Sequence, residues 1–391
     1  MNINKEKAYK IICNIVLLYP ILNLIINCIS NDRIKILNLP IIILFFIFIM
    51  LTYVIERKMF KMIFTVLLCA LTVINANSIT SFFSTDNLYF CFFIMYLIFI
   101  YKNDDFYKVS YEFFKSKEKV TIFTSLAVIS MVIIWLFLGK GLYLQDNSTL
   151  SLRGPYSLNH SLAYTLLVMY AMCNCVRNKK NYKKILILKM IMTVMIIATA
   201  VRSAFLVLII YLFLDFKRTN YSKKIIVCFL VLPILTVIGI YTGVLINNPL
   251  VKKTISAAER GTISNGRDEM TQLGRDYYFN ETTMKQKITG IGMEKLRKIY
   301  LRHFGTALHA HNDLVNILLG YGFIYLIISA YLIISFSFSN NIKHSFLFMV
   351  SILLLAYTNG LFMYIIYVIG LPVVKIFYSE NRLPDKEKNK W

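Results

Sequence analysis

Charge is what this chain has least of. Asp, Glu, Lys and Arg make up 16% of the 391 residues, against 58% apolar ones, and the mean hydropathy is +0.62. A soluble globular domain carries about 25% charged residues, so that class is excluded. Acid is scarcer still, with 20 Asp and Glu against 43 Lys and Arg, a net charge of +23. In a soluble protein that balance would suggest nucleic acid. In a membrane protein excess Lys and Arg belongs to cytoplasmic loops, and no nucleic-acid partner is expected.

Cysteine is sparse and unpatterned. Cys13, Cys28, Cys69, Cys91, Cys173, Cys175 and Cys228 lie in or beside apolar runs, where Cys packs as a small hydrophobe. The C-x-C spacing of Cys173 and Cys175 is neither a redox nor a zinc motif, and no disulfide framework is expected. No A-x-A-like cleavage site follows Lys5, Lys7 and Lys10, so the first apolar run reads as a retained span rather than a signal peptide. There is no internal repeat and no low-complexity stretch. Thr289-Gly290-Ile291-Gly292 is a lone G-x-G without a βαβ frame, which suits a tight turn better than a dinucleotide site.

What the chain has is apolar runs. They fall near residues 9–28, 36–55, 60–80, 87–101, 120–139, 159–176, 185–200, 203–216, 225–246, 311–335, 345–359 and 361–378. The expected fold is all-α, a multi-pass membrane bundle of about 12 transmembrane helices. Basic loops at 56–61, 102–119, 177–184 and 217–224 all fall on one side if the N-terminus is cytoplasmic, with loop 29–35 fitting less well. The positive-inside rule then puts both termini in the cytoplasm and residues 247–310 outside. That parity requires 185–216 to be two spans turning near Arg202. The expected organisation is N-terminal spans over 1–246, an extracytoplasmic loop between spans 9 and 10 over 247–310, further spans over 311–378, and a cytoplasmic tail over 379–391.

The outer loop is the anomaly. It is long, polar and net basic, with Arg260, Arg267 and Arg275 among its cations, on the side where no basic excess is expected. A loop of this length is functional or disordered, and its Tyr, Phe and Leu content argues against disorder. Arginine binds phosphate oxygens in bidentate fashion and stays charged, so an anionic ligand such as pyrophosphate fits; attraction to lipid headgroups fits the charge as well. Arg202, at the edge of an apolar run, is either a functional residue or a helix end snorkelling to the interface. Arg153-Gly154-Pro155 to Asn159 is a polar turn entering a span from the same side, with Asn159 placed to cap it. His309 and His311 stand where the polar loop meets the next apolar run. Either could act as a general base or simply cap the span, with Asn312 and Asp313 as the capping pair.

Taken in order, these residues resemble the O-antigen ligase and Wzy-type polysaccharide polymerase family of bacterial envelopes. The resemblance covers about residues 140–335. Arg153-Gly154 to Asn159 is similar to the family's Arg-Gly-x-x-x-x-Asn-like turn. Val201-Arg202-Ser203-Ala204 is similar to its Ser-Arg-Gly-Ala-like element, with the Ser and Gly positions changed. Asn265-Gly266-Arg267, Gly290-Ile291-Gly292, and His311-Asn312-Asp313-Leu314 with Gly320-x-Gly322 complete the set.

The resemblance implies glycosyl transfer from an undecaprenyl-diphosphate-linked glycan, at the outer face of the bacterial cytoplasmic membrane. It implies His311 as general base, with His309 as second choice, and Arg153, Arg202 and Arg267 holding the diphosphate and neutralising charge on it. Asn159, Asn312, Arg260, Arg275, Gly290 and Gly292 are the remaining candidate substrate contacts. No acidic cluster suggests a metal, arginine would take over its charge-stabilising role, and no cofactor is expected. Membrane lipid, a chain-length regulator and a flippase are candidate partners. Polymerisation of repeat units is the favoured reaction. Ligation of the glycan to another acceptor is the alternative, and a twelve-span transporter or flippase is the rival of a different class.

Overall fold

The computed structural model describes residues 3–29, 38–75, 85–145, 149–178, 180–218, 251, 255, 267–305, 311–339 and 343–379. The expected span near 225–246, Arg260, Asn265-Gly266, His309 and the tail from 380 lie outside the described residues. Within them the chain is mostly helical, with sixteen helices and one two-stranded hairpin.

The apolar runs become α1 (Ile3–Ile29), α2 (Leu39–Ile55), α3 (Met59–Asn75), α4 (Thr85–Ile100), α6 (Glu118–Phe137), α7 (Asn159–Cys175), α8 (Tyr182–Ala198), α9 (Arg202–Arg218), α14 (Phe323–Phe338), α15 (Ser345–Thr358) and α16 (Ile365–Tyr378). By length and apolarity two can cross a bilayer unaided, Asn4–Ile29 and Glu118–Phe137; six further apolar helices have 10–17 residues.

Two segments read as loops turn out to be structured. Between α4 and α6 lies α5 (Asp104–Ser116), which buries Phe106, Val109, Phe113 and Phe114. That spacing keeps the apolar side chains on one helical face. Asn103 caps it by accepting the Phe106 N–H at 3.2 Å, and the Tyr9 hydroxyl of α1 donates to the same oxygen at 2.9 Å. After α6 comes the antiparallel hairpin of β1 (Leu142–Gln145) and β2 (Thr149–Leu152).

The bundle is organised around α7 and α16. Residues 162–175 of α7 are all buried, and so is every residue of α16. The two lie close enough that a Cβ on Gly370 would meet the Val168 methyls at 2.6 and 2.7 Å. Packing at that distance leaves no room for a larger residue. Around them, α2, α3, α6 and α8 leave large apolar side chains exposed, among them Ile43, Phe60, Phe123 and Val194. An apolar outer surface of this extent suits lipid rather than water.

The expected turn near Arg202 is present: α8 ends at Ala198, Ala200 takes a left-handed φ of 55°, and α9 starts at Arg202. A buried polar knot holds these helices in register. Asp215 of α9 pairs with Lys189 of α8 and accepts from Tyr170 at 2.6 Å and Asn174 at 3.0 Å, both of α7. A charge in an apolar bundle is tolerated only when paired in this way.

A candidate active site at one end of the bundle

Residues 267–305 form three helices, α10 (Arg267–Asn280), α11 (Met284–Thr289) and α12 (Met293–Phe304), followed by α13 (Asp313–Gly320). A capping box starts α11, with Thr283 and Gln286 satisfying each other's backbone N–H at 3.3 and 3.0 Å. Tyr300 of α12 donates to the Met270 carbonyl of α10 at 3.0 Å. The apolar run near 311–335 is therefore two elements. It breaks at Gly320–Gly322 into α13 and α14, and Gly322 has φ of 93°.

The break is where Gly290 and Gly292 act. The Ile291 N–H donates to the Leu319 carbonyl at 2.7 Å, and the Gly292 N–H to the Gly320 carbonyl at 3.0 Å. Cβ atoms on Gly290 or Gly322 would run into the facing backbone. Glycine is required because two backbones touch. The same region is anchored to α4: Asp86 pairs with Arg297 of α12, and the Tyr321 hydroxyl donates to Asn87 at 2.9 Å.

Five chain segments converge beyond this scaffold. The turn at 154–159 enters α7, and Asn159 donates to the Thr199 carbonyl of the α8–α9 turn at 2.9 Å. The expected cap is absent from Asn159, since Leu158 occupies the N-cap; its side chain ties two segments together instead. From the α15–α16 turn, Asn359 donates to Ser203, the residue after Arg202. Arg267, at the start of α10, donates to the Thr358 carbonyl of that turn at 2.5 Å. Asn312 caps α13 by accepting the Leu314 N–H at 3.0 Å. Asp313 accepts the N–H groups of Leu361 and Phe362, the latter at 3.2 Å.

The electrostatics follow from burial. Arg267 is half-buried, and desolvation pulls its pKa below the usual guanidinium value. His311 sits in a left-handed conformation with φ of 49°, uncommon for a residue with a Cβ. Burial first, and then the Arg267 charge, lower its pKa to about 4. His311 is therefore neutral near pH 7 and able to accept a proton. Asp313 is pushed up to about 7 by burial, against the two N–H groups that favour its charge. Its second oxygen is buried, has no hydrogen-bond partner among the described residues, and would lie 2.8 Å from a Cβ on Gly360.

Aromatic side chains complete the surroundings. Tyr164 and Tyr364 pack edge to face at 4.8 Å, and His160 stacks on Tyr364 at 5.9 Å. Arg153 sits over the Tyr143 ring at 5.4 Å, beside the turn that Asn159 holds. Arg275 is different. It is exposed and lies 3.7 Å from its neighbour Asp276, and among the described residues no contact ties it to the cluster.

Sequence reasoning missed Ser203, Asn359-Gly360, Tyr164, Tyr364 and the anchoring role of Asp313. The signal for one was present: Asn-Gly is a strong turn dipeptide, and here it interrupts two apolar runs. The tyrosines carried none, because 26 Tyr are spread through the chain.

Arg202, Arg267 and His311 also fall within one matched segment. Residues 187–330 match the family model described as O-antigen ligase. The matched segment runs from α8 to within α14, so it includes the Arg202 turn, the three helices of 267–305 and His311. Hairpin, α7 and the α15–α16 turn lie outside it. No curated protein and no solved structure matches the chain. The O-antigen ligase match points to a membrane enzyme of the ligase and polymerase type, transferring glycosyl groups.

Proposed function

We propose that this protein is a membrane glycosyltransferase that polymerises undecaprenyl-diphosphate-linked repeat units outside the cytoplasmic membrane. In this reading the chain crosses the bilayer about twelve times, with both termini cytoplasmic. What supports the chemistry is the pairing of Arg267 and His311, both half-buried at one end of the bundle, with burial first and the Arg267 charge second keeping the histidine neutral.

A lipid diphosphate is already a good leaving group. The enzyme has to hold it, offset the charge that develops on it, and remove a proton from the acceptor hydroxyl. Arg267 and Arg202 take the first two tasks, with Arg153 at the edge. Neutral His311 takes the proton as general base. Once the diphosphate is seated, its charge offsets Arg267, which raises the basicity of His311 when the proton must move.

The test is glycan length in a deletion strain complemented with wild type, His311→Ala or Arg267→Ala at matched expression. Loss of the ladder with retention of single lipid-linked units supports polymerisation. Long glycans retained on the lipid carrier support ligation, the reading nearest to the matched family's description. Full complementation by both variants removes the catalytic assignment and leaves a carrier as the better reading.

A further inference from the structure

The β1–β2 hairpin has one face made of leucine. In its register Leu142 faces Leu152 and Leu144 faces Leu150. Directly paired residues share a face, as do residues two apart, so all four side chains lie together. Leu152 is buried at 5%, while Leu142, Leu144 and Leu150 are exposed at 48%, 52% and 51%. The opposite face carries Tyr143 and buried Ser151, and Arg153 lies over the Tyr143 ring.

An isolated two-stranded hairpin is marginal in water even with a buried face. Here three of the four leucines of the apolar face are about half exposed, and Leu152 alone is buried. In the chain the hairpin follows directly on the apolar end of α6, where Phe137 and Leu138 are 88% and 61% exposed. That helix has 20 residues, and at about 1.5 Å per residue it spans about 30 Å, the thickness of the hydrocarbon. The chain then reverses tightly: Gly139 has φ of 70°, and a Cβ on Gly141 would lie 2.8 Å from the Leu136 nitrogen. The Gly141 carbonyl accepts from the Arg153 and Gly154 N–H groups, both at 3.0 Å, which ties the hairpin to the end of α6.

We propose that the hairpin is an interfacial anchor whose leucine face rests on the acyl chains of the bilayer at this end of the bundle. Its depth is bounded on both sides. Two open strand edges keep it out of the hydrocarbon core, where unpaired backbone groups are not tolerated. Leucine on the other flank keeps it out of bulk water. Exposed Lys140, with Tyr143 and Arg153, is of the type that sits at headgroup level. The anchor thereby fixes the height of Arg153 at the plane where a lipid-borne diphosphate lies. That last step rests on the function proposed above; the leucine contact does not.

The test uses the full chain in phosphatidylcholine–phosphatidylglycerol nanodiscs with a single reporter. Trp135→Phe and Trp391→Phe remove the native signal, and Leu144→Trp supplies a new one, with Leu150→Trp as the second reporter on the same face. Phosphatidylcholine brominated near the glycerol end should cut the emission by at least about half, and lipid brominated near the chain terminus should cut it less, as expected for shallow burial. Aqueous iodide should have little effect. Quenching by iodide but not by brominated lipid would overturn the proposal, since the face would then be in water. Protection from both would also overturn it, since a second protein surface would then cover the leucines. The readout does not depend on turnover, so failure of the anchor and failure of the catalytic reading give separate results.

Discussion

The helices α16 and α10 have the same length, 14 residues, and bury opposite amounts of themselves. Every residue of α16 is buried, whereas α10 buries Met270, Gly274 and Tyr278. The first is held by packing along its whole surface. The second, with α11 and α12, is held at a few points: a glycine-to-glycine backbone contact, the Asp86–Arg297 pair, and Arg267 on the turn before α16. The candidate site forms where the two kinds of region touch. A rigid core fixes the Thr358 to Phe362 turn, and the polar helices bring charge to it. In the proposed reading, placement of the reacting groups comes from the first and the charge from the second.

The contrast predicts which substitutions act on chemistry and which on architecture. His311→Ala removes the proposed general base and should lower turnover by about 10²–10⁴-fold, with little change in thermal midpoint, measured on purified enzyme with a lipid-linked donor. Arg267→Ala should lower turnover by about 10²–10³-fold and weaken donor binding as well, because the cation contacts the ground state too. Gly322→Ala works on the attachment instead. It places a Cβ against the Ile288–Gly290 backbone at a φ of 93° and should cost about 1–3 kcal/mol from strain alone, read as a lower thermal midpoint; an unchanged midpoint would mean that the polar helices are held by something else.

Two smaller effects sharpen the comparison through pH and charge. The Asp313 pKa, about 7, is raised above that of an unfolded carboxylate. The native protein therefore holds a proton that the unfolded chain sheds as pH rises from about 4 to about 7. Its contribution to stability is complete below the unfolded pKa and is lost across that window. Asp313→Asn should flatten this part of the stability profile, measured as thermal midpoint against pH. Arg275→Ala should change turnover by less than about two-fold, because an exposed arginine beside one aspartate contributes little; a large loss would extend the site along α10.

Much of the helical framework was legible because hydrophobic runs of helical length are a strong signal. The turn at Arg202 was inferred from charge balance alone, and Ala200 and Arg202 form it. Breaks inside apolar runs were less legible. Gly320-x-Gly322 looked like a motif within a span, and its structural meaning depends on Gly290 and Gly292, about thirty residues away. The amphipathic pattern of α5 was hidden among the lysines of a loop expected to be cytoplasmic. For the site, the arginines and His311 stood out because charge is rare in this chain. Asn359 and Asp313 did not, because what they do is hold backbone of distant segments, which local sequence does not announce.

The most direct measurement separates binding from turnover at the Arg267–His311 junction. Purified wild type, Arg267→Ala and His311→Ala would be compared for donor affinity and for single-turnover rate with a defined undecaprenyl-diphosphate oligosaccharide, across pH 4 to 8. The account predicts that His311→Ala binds donor as wild type does but loses turnover, that Arg267→Ala loses both, and that the wild-type kcat/KM limb on the acid side lies well below the usual histidine value, since the free-enzyme His311 pKa is about 4. Wild-type turnover by His311→Ala, or an acid limb at an ordinary histidine pKa that Arg267→Ala leaves in place, would contradict it.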